Sequence, residues 1–324
     1  MLFALWLSFA VPVHAIAPRQ AASSAEQLFT FRSGFWNNLH HFLYVLGRAR
    51  TGQPDSRRPA VLKAPADIDG LASRPETERL AWAECVHYYA AGLSTKDAVF
   101  DDDMIAVTRT LAAASDDSDL AGLGLDRGLA GALRIAAPVY RAVWWPRHAR
   151  ANAARRADLQ ALIDKHGAAA VRRLTAVYQT SWPAQPRVID LAAYSNWAGA
   201  YSTTGGLIVV ASTDDRTDGP TGLEIVLHES SHQWDEEIEK RLNAIAARQG
   251  KPVPGLLSHA LIFYTSGEVV DEIVPTHIPY ATKYGLWNQR GLGAFKPLLD
   301  KYWRPYIRGT GTFDDAIAAI LAHP

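Results

Sequence analysis

The stretch His228-Glu229-Ser230-Ser231-His232 is the most informative part of this 324-residue chain. Two histidines four apart on a helix lie about 40° apart around its axis, so both imidazoles leave the same face. In that arrangement two neutral ring nitrogens can bind a single zinc ion. Glu229 projects beside them, where it could deprotonate a water on the metal without binding the metal itself. The pentapeptide therefore predicts a metal site with a general base next to it.

The residues around the motif predict that it lies early in a long helix. Residues 214–219 form a polar turn without the ligand spacing of a calcium-binding EF-hand loop. Thr221 and Glu224 then fit a capping box at a helix start. The pattern after the motif is amphipathic as far as Gly250 and Pro252, which stop helices. We therefore expect one helix from about 221 to about 249.

A catalytic zinc ion needs a third protein ligand and one open position. The HxxGxxH continuation of metzincins does not follow the motif, so a glutamate from a later helix is the alternative. Glu268 lies in an apolar segment, where a carboxylate is costly unless a cation or hydrogen bonds stabilise it. We predict that Glu268 is the third ligand, although it could instead pair with an arginine or lysine. The alternative ligands are His259, Asp271 and Glu272, of which either acid could accept the free N–H of a ligating histidine.

With HESSH, Glu268 and an acidic residue one turn later, residues 185–285 resemble the gluzincin branch of zinc metallopeptidases, of which thermolysin is the familiar member. The chain is also similar to uncharacterised bacterial secreted proteins with this HExxH pattern. It departs from the family in the 35 residues between His232 and Glu268, and in Gly267, where the family has asparagine. The resemblance implies a hydrolase of peptide or protein substrates with one Zn²⁺ per chain, held by His228, His232 and Glu268.

The same resemblance suggests how a substrate would be held. Zincins place an extended strand beside the motif helix, and peptides add to its edge; residues 196–202 could form such a strand, or only a small supporting sheet. Tyr280 falls where related enzymes present a tyrosine or histidine to the oxyanion, and His259 competes for that role. The alternative for Tyr280 is packing against Tyr284 and Trp287.

Composition and the first residues bear on location. Lys+Arg and Asp+Glu both number 33, so no charge excess attracts nucleic acid or an anionic membrane. Residues 2–13 are apolar but too short to span a bilayer, and small-residue cleavage sites follow. This predicts a signal peptide over residues 1–17, with a signal anchor as the alternative, and no span in the mature form. Cys85 is alone, and export without a disulfide is typical of a bacterial periplasmic or secreted protein.

The fold class that we predict is mainly α with a small β-sheet (α+β). A helical lobe over residues 18–184 would precede a zincin-like metal-binding lobe over residues 185–324. The helical lobe should contain amphipathic helices at about 26–49, 76–92, 102–114, 126–142 and 151–179. In the first of these, His40 and His41 could line a cleft, but histidines satisfied within the core or on the helix surface are favoured.

These patterns together predict an exported zinc hydrolase, and a peptidase is the preferred class of hydrolase. In that interpretation Glu229 is the general base, and Tyr280 or His259 polarises the carbonyl. Two other classes stay open: a non-catalytic, metal-stabilised cell-envelope binding protein, and a zinc hydrolase of a non-peptide amide or ester. A closed four-ligand site would favour the binding protein, because catalytic zinc keeps an open position.

Overall fold

The computed structural model describes residues 28–51, 64–203, 206–289 and 291–323. These residues are mainly helical with one mixed four-stranded sheet, which confirms the predicted α+β class. The predicted signal peptide, residues 1–17, lies outside the described residues. Within those residues, no helix has the length and apolar character needed to cross a membrane.

The strands are β1 (Phe29–Arg32), β2 (Arg187–Ala192), β3 (Ala200–Ser202) and β4 (Leu207–Ala211). The helices are α1 (Phe35–Thr51), α2 (Pro65–Ile68), α3 (Glu76–Ala91), α4 (Asp102–Ala113), α5 (Arg127–Val143), α6 (Trp145–Leu162), α7 (Ala168–Tyr178), α8 (Gly219–Ser231), α9 (Asp235–Gln249), α10 (Leu257–Ile273), α11 (Tyr280–Lys283), α12 (Phe295–Leu298), α13 (Arg304–Ile307) and α14 (Phe313–Leu321).

The sheet has the order β1-β2-β4-β3. The first three of these strands are parallel, and β3 pairs antiparallel with β4 at the edge. The prediction of a helix from about 26 is wrong at its start, because residues 29–32 form β1 and the helix begins at Phe35. This strand of four residues is stabilised by pairing with β2, more than 150 positions away, so local periodicity carried no signal for it.

Side chains alternate between the two faces of the sheet and separate two hydrophobic cores. Leu207 and Val209 of β4 face a core built mainly by α1, α3, α4 and α5. Ile208 and Val210 face a second core that contains α7, α8 and α10. The motif helix α8 is therefore packed on one face of the sheet, with the N-terminal helices on the other. The second core also draws on residues before position 185, among them Phe29 of β1 and residues of α7.

The motif helix starts and ends differently from the sequence prediction. Asp218 precedes the first turn at the N-cap position, so the predicted capping box is wrong: Thr221 and Glu224 are both buried within the helix. The helix also ends at Ser231, and a short 3₁₀ turn, His232–Trp234, separates it from α9. The hydroxyls of Ser230 and Ser231 donate to the carbonyls four residues earlier, at 2.6 and 2.8 Å. Such back-bonding slightly destabilises helices and often bends them, and α8 ends directly at these two serines.

Candidate metal centre and active site

Three histidines converge at the end of the motif helix. His228 is in the last turn of α8, His232 is the residue that follows α8, and His259 is in the first turn of α10. One ring nitrogen from each lies within 4.8 Å of the other two. The Nε2 atoms of His228 and His232 are 3.3 Å apart. Two nitrogens that bind one tetrahedral zinc ion at its usual bond length are also about 3.3 Å apart, so this pair fits a zinc ion.

The electrostatic surroundings favour a neutral imidazole at His228, whereas they favour protonation of His232 in the absence of a metal. Burial, and the neighbouring His232 and His259, hold the pKa of His228 well below its usual value. His228 Nδ1 is buried and has no hydrogen-bond partner among the described residues. Burial alone would lower the pKa of His232, but the carboxylates of Asp235 and Glu229 outweigh it and raise that pKa.

Asp235 orients the second histidine of the motif. His232 Nδ1 donates a hydrogen bond to Asp235 Oδ2 at 2.9 Å. This bond keeps the proton on Nδ1 and directs Nε2 towards His228, which is the arrangement by which carboxylates support histidine ligands in metal sites. The sequence prediction assigned this supporting role to Asp271 or Glu272. In the structure Glu272 accepts from Arg173 at 3.1 Å, and Asp271 lies 4.0 Å from Arg308.

The structure does not bring Glu268 to the histidines. The Arg304 guanidinium donates to both of its oxygens, at 3.0 and 3.1 Å, and Arg308 donates to one of them at 3.4 Å. His259 and Glu268 are nine residues apart on α10, which places them about 13 Å apart along the helix axis. The structure thus agrees with the alternative prediction for Glu268, in which its buried carboxylate pairs with arginine. The geometry thus assembles three histidines rather than two histidines and a glutamate.

The packing of α10 against α8 explains which residue reaches the site. His259 lies beside His228, with ring centroids 5.3 Å apart, whereas Gly267 lies beside Glu224 further back along α8. The two helices are therefore antiparallel. A Cβ at Gly267 would lie 2.7 Å from Pro279 and 3.1 Å from Glu224 Oε1, so only glycine permits this close approach.

Glu229 lines a cleft together with His228. The described residues that line this cleft, whose empty volume is about 610 Å³ including its open mouth, are Trp197, Ala198, Ala200, Arg216, Ile225, His228, Glu229, Phe263, Tyr280, Tyr284, Leu286 and Gln289. Burial raises the pKa of Glu229, and the opposing effects of His232 and of hydrogen bonds from Ser202 are smaller. A carboxylate with a raised pKa is suited to accept and release a proton near neutral pH.

Tyr280 lines the same cleft, as the oxyanion prediction requires. Its backbone N–H donates to Glu224 Oε2 at 2.8 Å, and the same oxygen accepts from His277 Nε2 at 2.6 Å. Glu224 thus ties the start of α11 to the motif helix, one turn before His228. Burial raises the pKa of Tyr280, which keeps its hydroxyl a hydrogen-bond donor. Its ring also packs against Tyr284 with centroids 4.7 Å apart, so both predicted roles are compatible with the structure.

The strand predicted beside the motif helix is present but short. Within residues 196–202 only Ala200–Ser202 form a strand, β3, which is an edge strand of the sheet. Ala198 and Ala200 line the cleft, and small side chains there leave room for a ligand backbone.

His40 and His41 do not line the cleft. Both are buried in α1, where His40 Nδ1 bonds the Tyr89 hydroxyl at 2.9 Å and His41 Nε2 bonds the Tyr201 hydroxyl at 2.7 Å. The interpretation as satisfied core histidines is confirmed.

The residues of the site that the sequence did not single out include Asp235, Phe263, Arg216 and Glu224 as a buried acid. Asp235 had a signal, because an acid three positions after His232 can reach its ring. Phe263 follows His259 by one turn, and its ring lies 3.9 Å from that of His228. Arg216 belongs to the polar turn before α8, and nothing in its local pattern marked it as a cleft residue.

Comparison of the chain with protein-family models, with curated proteins and with solved structures found no match. The function of the site is therefore inferred from its geometry.

Proposed function

We propose that this protein is an exported zinc-dependent hydrolase that cleaves peptide bonds, with one Zn²⁺ held by His228, His232 and His259. The observation that carries the proposal is the convergence of these three histidines, one of which, His228, lines the same cleft as Glu229 and Tyr280. Three protein ligands leave one position of a tetrahedral zinc site open, which is typical of catalytic rather than structural zinc. That count favours an enzyme over a metal-stabilised binding protein.

Each residue has a defined task in this proposal. A bound zinc ion would supply Lewis acidity to a water molecule and to the substrate carbonyl. Glu229 accepts a proton from the attacking water and passes it to the amine that leaves when the C–N bond breaks. Tyr280 donates a hydrogen bond to the carbonyl oxygen as that oxygen gains negative charge. Asp235 holds His232 in the tautomer that a metal requires.

The edge strand supports a peptide as the substrate. β3 presents the outer edge of the sheet next to Ala198 and Ala200, so an extended peptide could add to it by main-chain hydrogen bonds. The walls contributed by Ile225, Phe263 and Leu286 are apolar and would accommodate an apolar side chain. Esters and non-peptide amides use the same chemistry, and comparison of substrates separates them from peptides.

Metal analysis and a peptide library test the proposal together. The purified protein should contain about one zinc per chain, lose it in His228→Ala, and cleave peptides in a broad library. Glu229→Gln should keep the zinc and lose cleavage, whereas Glu236→Gln, an exposed glutamate at the start of α9, should change neither. A wild-type protein that binds no zinc would refute the metal site. One that binds zinc but cleaves no peptide would refute the peptidase.

A further inference from the structure

We infer that Arg216 binds a carboxylate group of the substrate next to the bond that is cleaved. The inference rests on the proposed function and names the substrate class of that site. The carboxylate could be the C-terminus of a peptide or an acidic side chain, and the two sources present the same chemical group to the guanidinium.

Arg216 is placed where it can contact a bound substrate. It lies in the 3₁₀ turn Asp215–Thr217, between β4 and α8, and lines the cleft with His228 and Glu229. Among the described residues that line the cleft it is the only arginine or lysine. A substrate carboxylate in this cleft would be repelled by an ionised Glu229, so a cation beside it is needed to make such binding favourable.

The guanidinium is held in a fixed orientation before any ligand binds. Arg216 Nε donates to Asp214 Oδ1 at 2.9 Å, Nη2 donates to Asp214 Oδ2, and Nη2 also donates to the Trp197 carbonyl at 3.1 Å. Both charged side chains are mostly shielded from solvent, with 17% exposure each. Neither of these two acceptors uses Nη1, and the guanidinium also donates a hydrogen bond to the Tyr280 hydroxyl. Because the orientation is already set, little further conformational entropy is lost when a ligand binds.

The pairing with Asp214 also determines the distance over which Arg216 can attract an anion. The two charges cancel at long distance, so Arg216 contributes little to the overall attraction of anions. At contact distance, a charge-assisted hydrogen bond from the guanidinium remains available. Selectivity should therefore depend on a carboxylate at one position of the substrate rather than on its net charge.

Tyr280 connects this group to the reaction centre. Both residues line the cleft, and Arg216 partly offsets the rise that burial causes in the pKa of Tyr280, since its positive charge and a hydrogen bond favour the phenolate. The apolar walls from Phe263 and Leu286 lie in the same cleft. The combination is suited to a residue with an apolar side chain and a nearby carboxylate.

A purely structural role for Arg216 is the competing explanation. Gly199 has a φ of 84°, and a Cβ there would lie 2.8 Å from Asp214 Oδ2 and 3.1 Å from Arg216 Nη2. The ion pair thus supports the turn that leads into β3. If this were its whole role, loss of Arg216 would impair the cleavage of all peptides alike.

Matched substrates separate the two explanations. The first pair is an N-blocked tripeptide ending in phenylalanine and its C-terminal amide. The second pair is a C-terminally amidated decapeptide with aspartate or asparagine after the cleaved bond. Wild-type protein should prefer the carboxylate member of one pair by about 10–100-fold in kcat/KM, which is the range expected for one additional charge-assisted hydrogen bond. The pair that shows the preference identifies the source of the carboxylate.

The decisive measurement in the variants is the ratio of kcat/KM for the carboxylate member of a pair to kcat/KM for its uncharged partner. Arg216→Gln should bring it to within about threefold of one, and Arg216→Lys should give an intermediate value, because an ammonium keeps the charge but not the planar geometry. Arg248→Gln removes an exposed arginine of α9 that pairs with Asp314 and should leave the ratio unchanged. An unchanged ratio in Arg216→Gln, or no preference in the wild type, overturns the inference.

Binding to an inactive variant keeps this test independent of the proposed function. Both pairs of peptides are titrated calorimetrically into the zinc-loaded Glu229→Gln protein, with and without Arg216→Gln. Tighter binding of the carboxylate member of one pair that disappears in the double variant supports the carboxylate site even if the wild type cleaves nothing. Equal binding within both pairs overturns it even if the wild type is an active peptidase.

Discussion

Replacing His259 by alanine should strip the protein of zinc, whereas replacing Glu268 by glutamine should leave zinc bound. Loss of a residue that only supports a ligand typically costs 10–100-fold in metal affinity, so loss of one of three ligands should cost at least about 10³-fold. Glu268 lies about 13 Å along α10 from His259, so its substitution should change zinc affinity by less than about threefold.

In the metal-free protein, by contrast, Glu268→Gln should lower the stability more than His259→Ala does. Glu268→Gln removes the charge from a buried carboxylate that accepts three hydrogen bonds from Arg304 and Arg308. Hydrogen bonds to charged groups each contribute about 1.5–3 kcal/mol, but both arginines are more than 40% exposed and solvent screens the pairs. We therefore expect a loss of only about 1–2 kcal/mol, seen as a Tm lower by a few degrees.

Zinc affinity is measured by competition with a chromogenic chelator, and Tm by calorimetry on chelator-treated protein. His87→Ala, which removes an exposed histidine of α3, serves as the control and should alter neither quantity. If Glu268→Gln loses zinc while His259→Ala retains it, the metal site assembled by the geometry is wrong and the glutamate assignment is right.

Four further substitutions test individual contacts. Glu229→Gln should lower kcat by about 10²–10⁴-fold with zinc content unchanged, because only the base is lost; equal activity would exclude it as the base. Tyr280→Phe should lower kcat about 10²-fold with KM nearly constant, and a change in KM alone would indicate packing instead. Asp235→Asn should weaken zinc binding by about 10–100-fold, and an unchanged affinity would show that this acid does not support His232. Asp190→Asn tests pH dependence: burial raises the pKa of Asp190 to about 7, so the folded state binds its proton more tightly than the unfolded chain does. The stability from Asp190 is therefore complete below about pH 4 and is lost as the pH rises to about 7, by at most about 4 kcal/mol. The asparagine variant should melt higher than the wild type at pH 8 and equally at pH 4, and a lower Tm at pH 8 would contradict this.

Local sequence determined those features that depend on a few neighbouring residues. Two histidines four apart on helical backbone share a face, and His232 keeps helical backbone angles directly after the end of α8, so the pairing of His228 with His232 follows from the motif itself. The position of Glu229 beside these histidines follows from the same helix geometry. The predicted runs at 76–92, 102–114 and 126–142 match α3, α4 and α5 closely, because amphipathic periodicity and caps such as Asp101 and Asp126 are local signals.

The rest of the site depends on contacts between residues far apart in the chain. His259 and Glu268 both lie on α10, and each is a chemically reasonable third ligand. The choice between them is made by how far α10 slides along α8, and that register is set by Gly267 against Glu224 and Pro279. Arg304, from a later helix, then neutralises Glu268. No local pattern contains this information, because the free energy that selects the register comes from packing across the helix interface.

Sequence alone therefore determined the fold class, the presence of a helix at the motif but not where that helix ends, and two of the histidines that could hold a metal. Tertiary structure alone decided that His259 joins them, that Tyr280 and Arg216 reach the same cleft, and that β3 is an edge strand. The physical reason is that helix periodicity is a property of consecutive residues. A cluster of three histidines beside a cleft with a glutamate and an arginine requires side chains from several helices and turns. The distances between these side chains are determined only when the buried faces of those elements pack together.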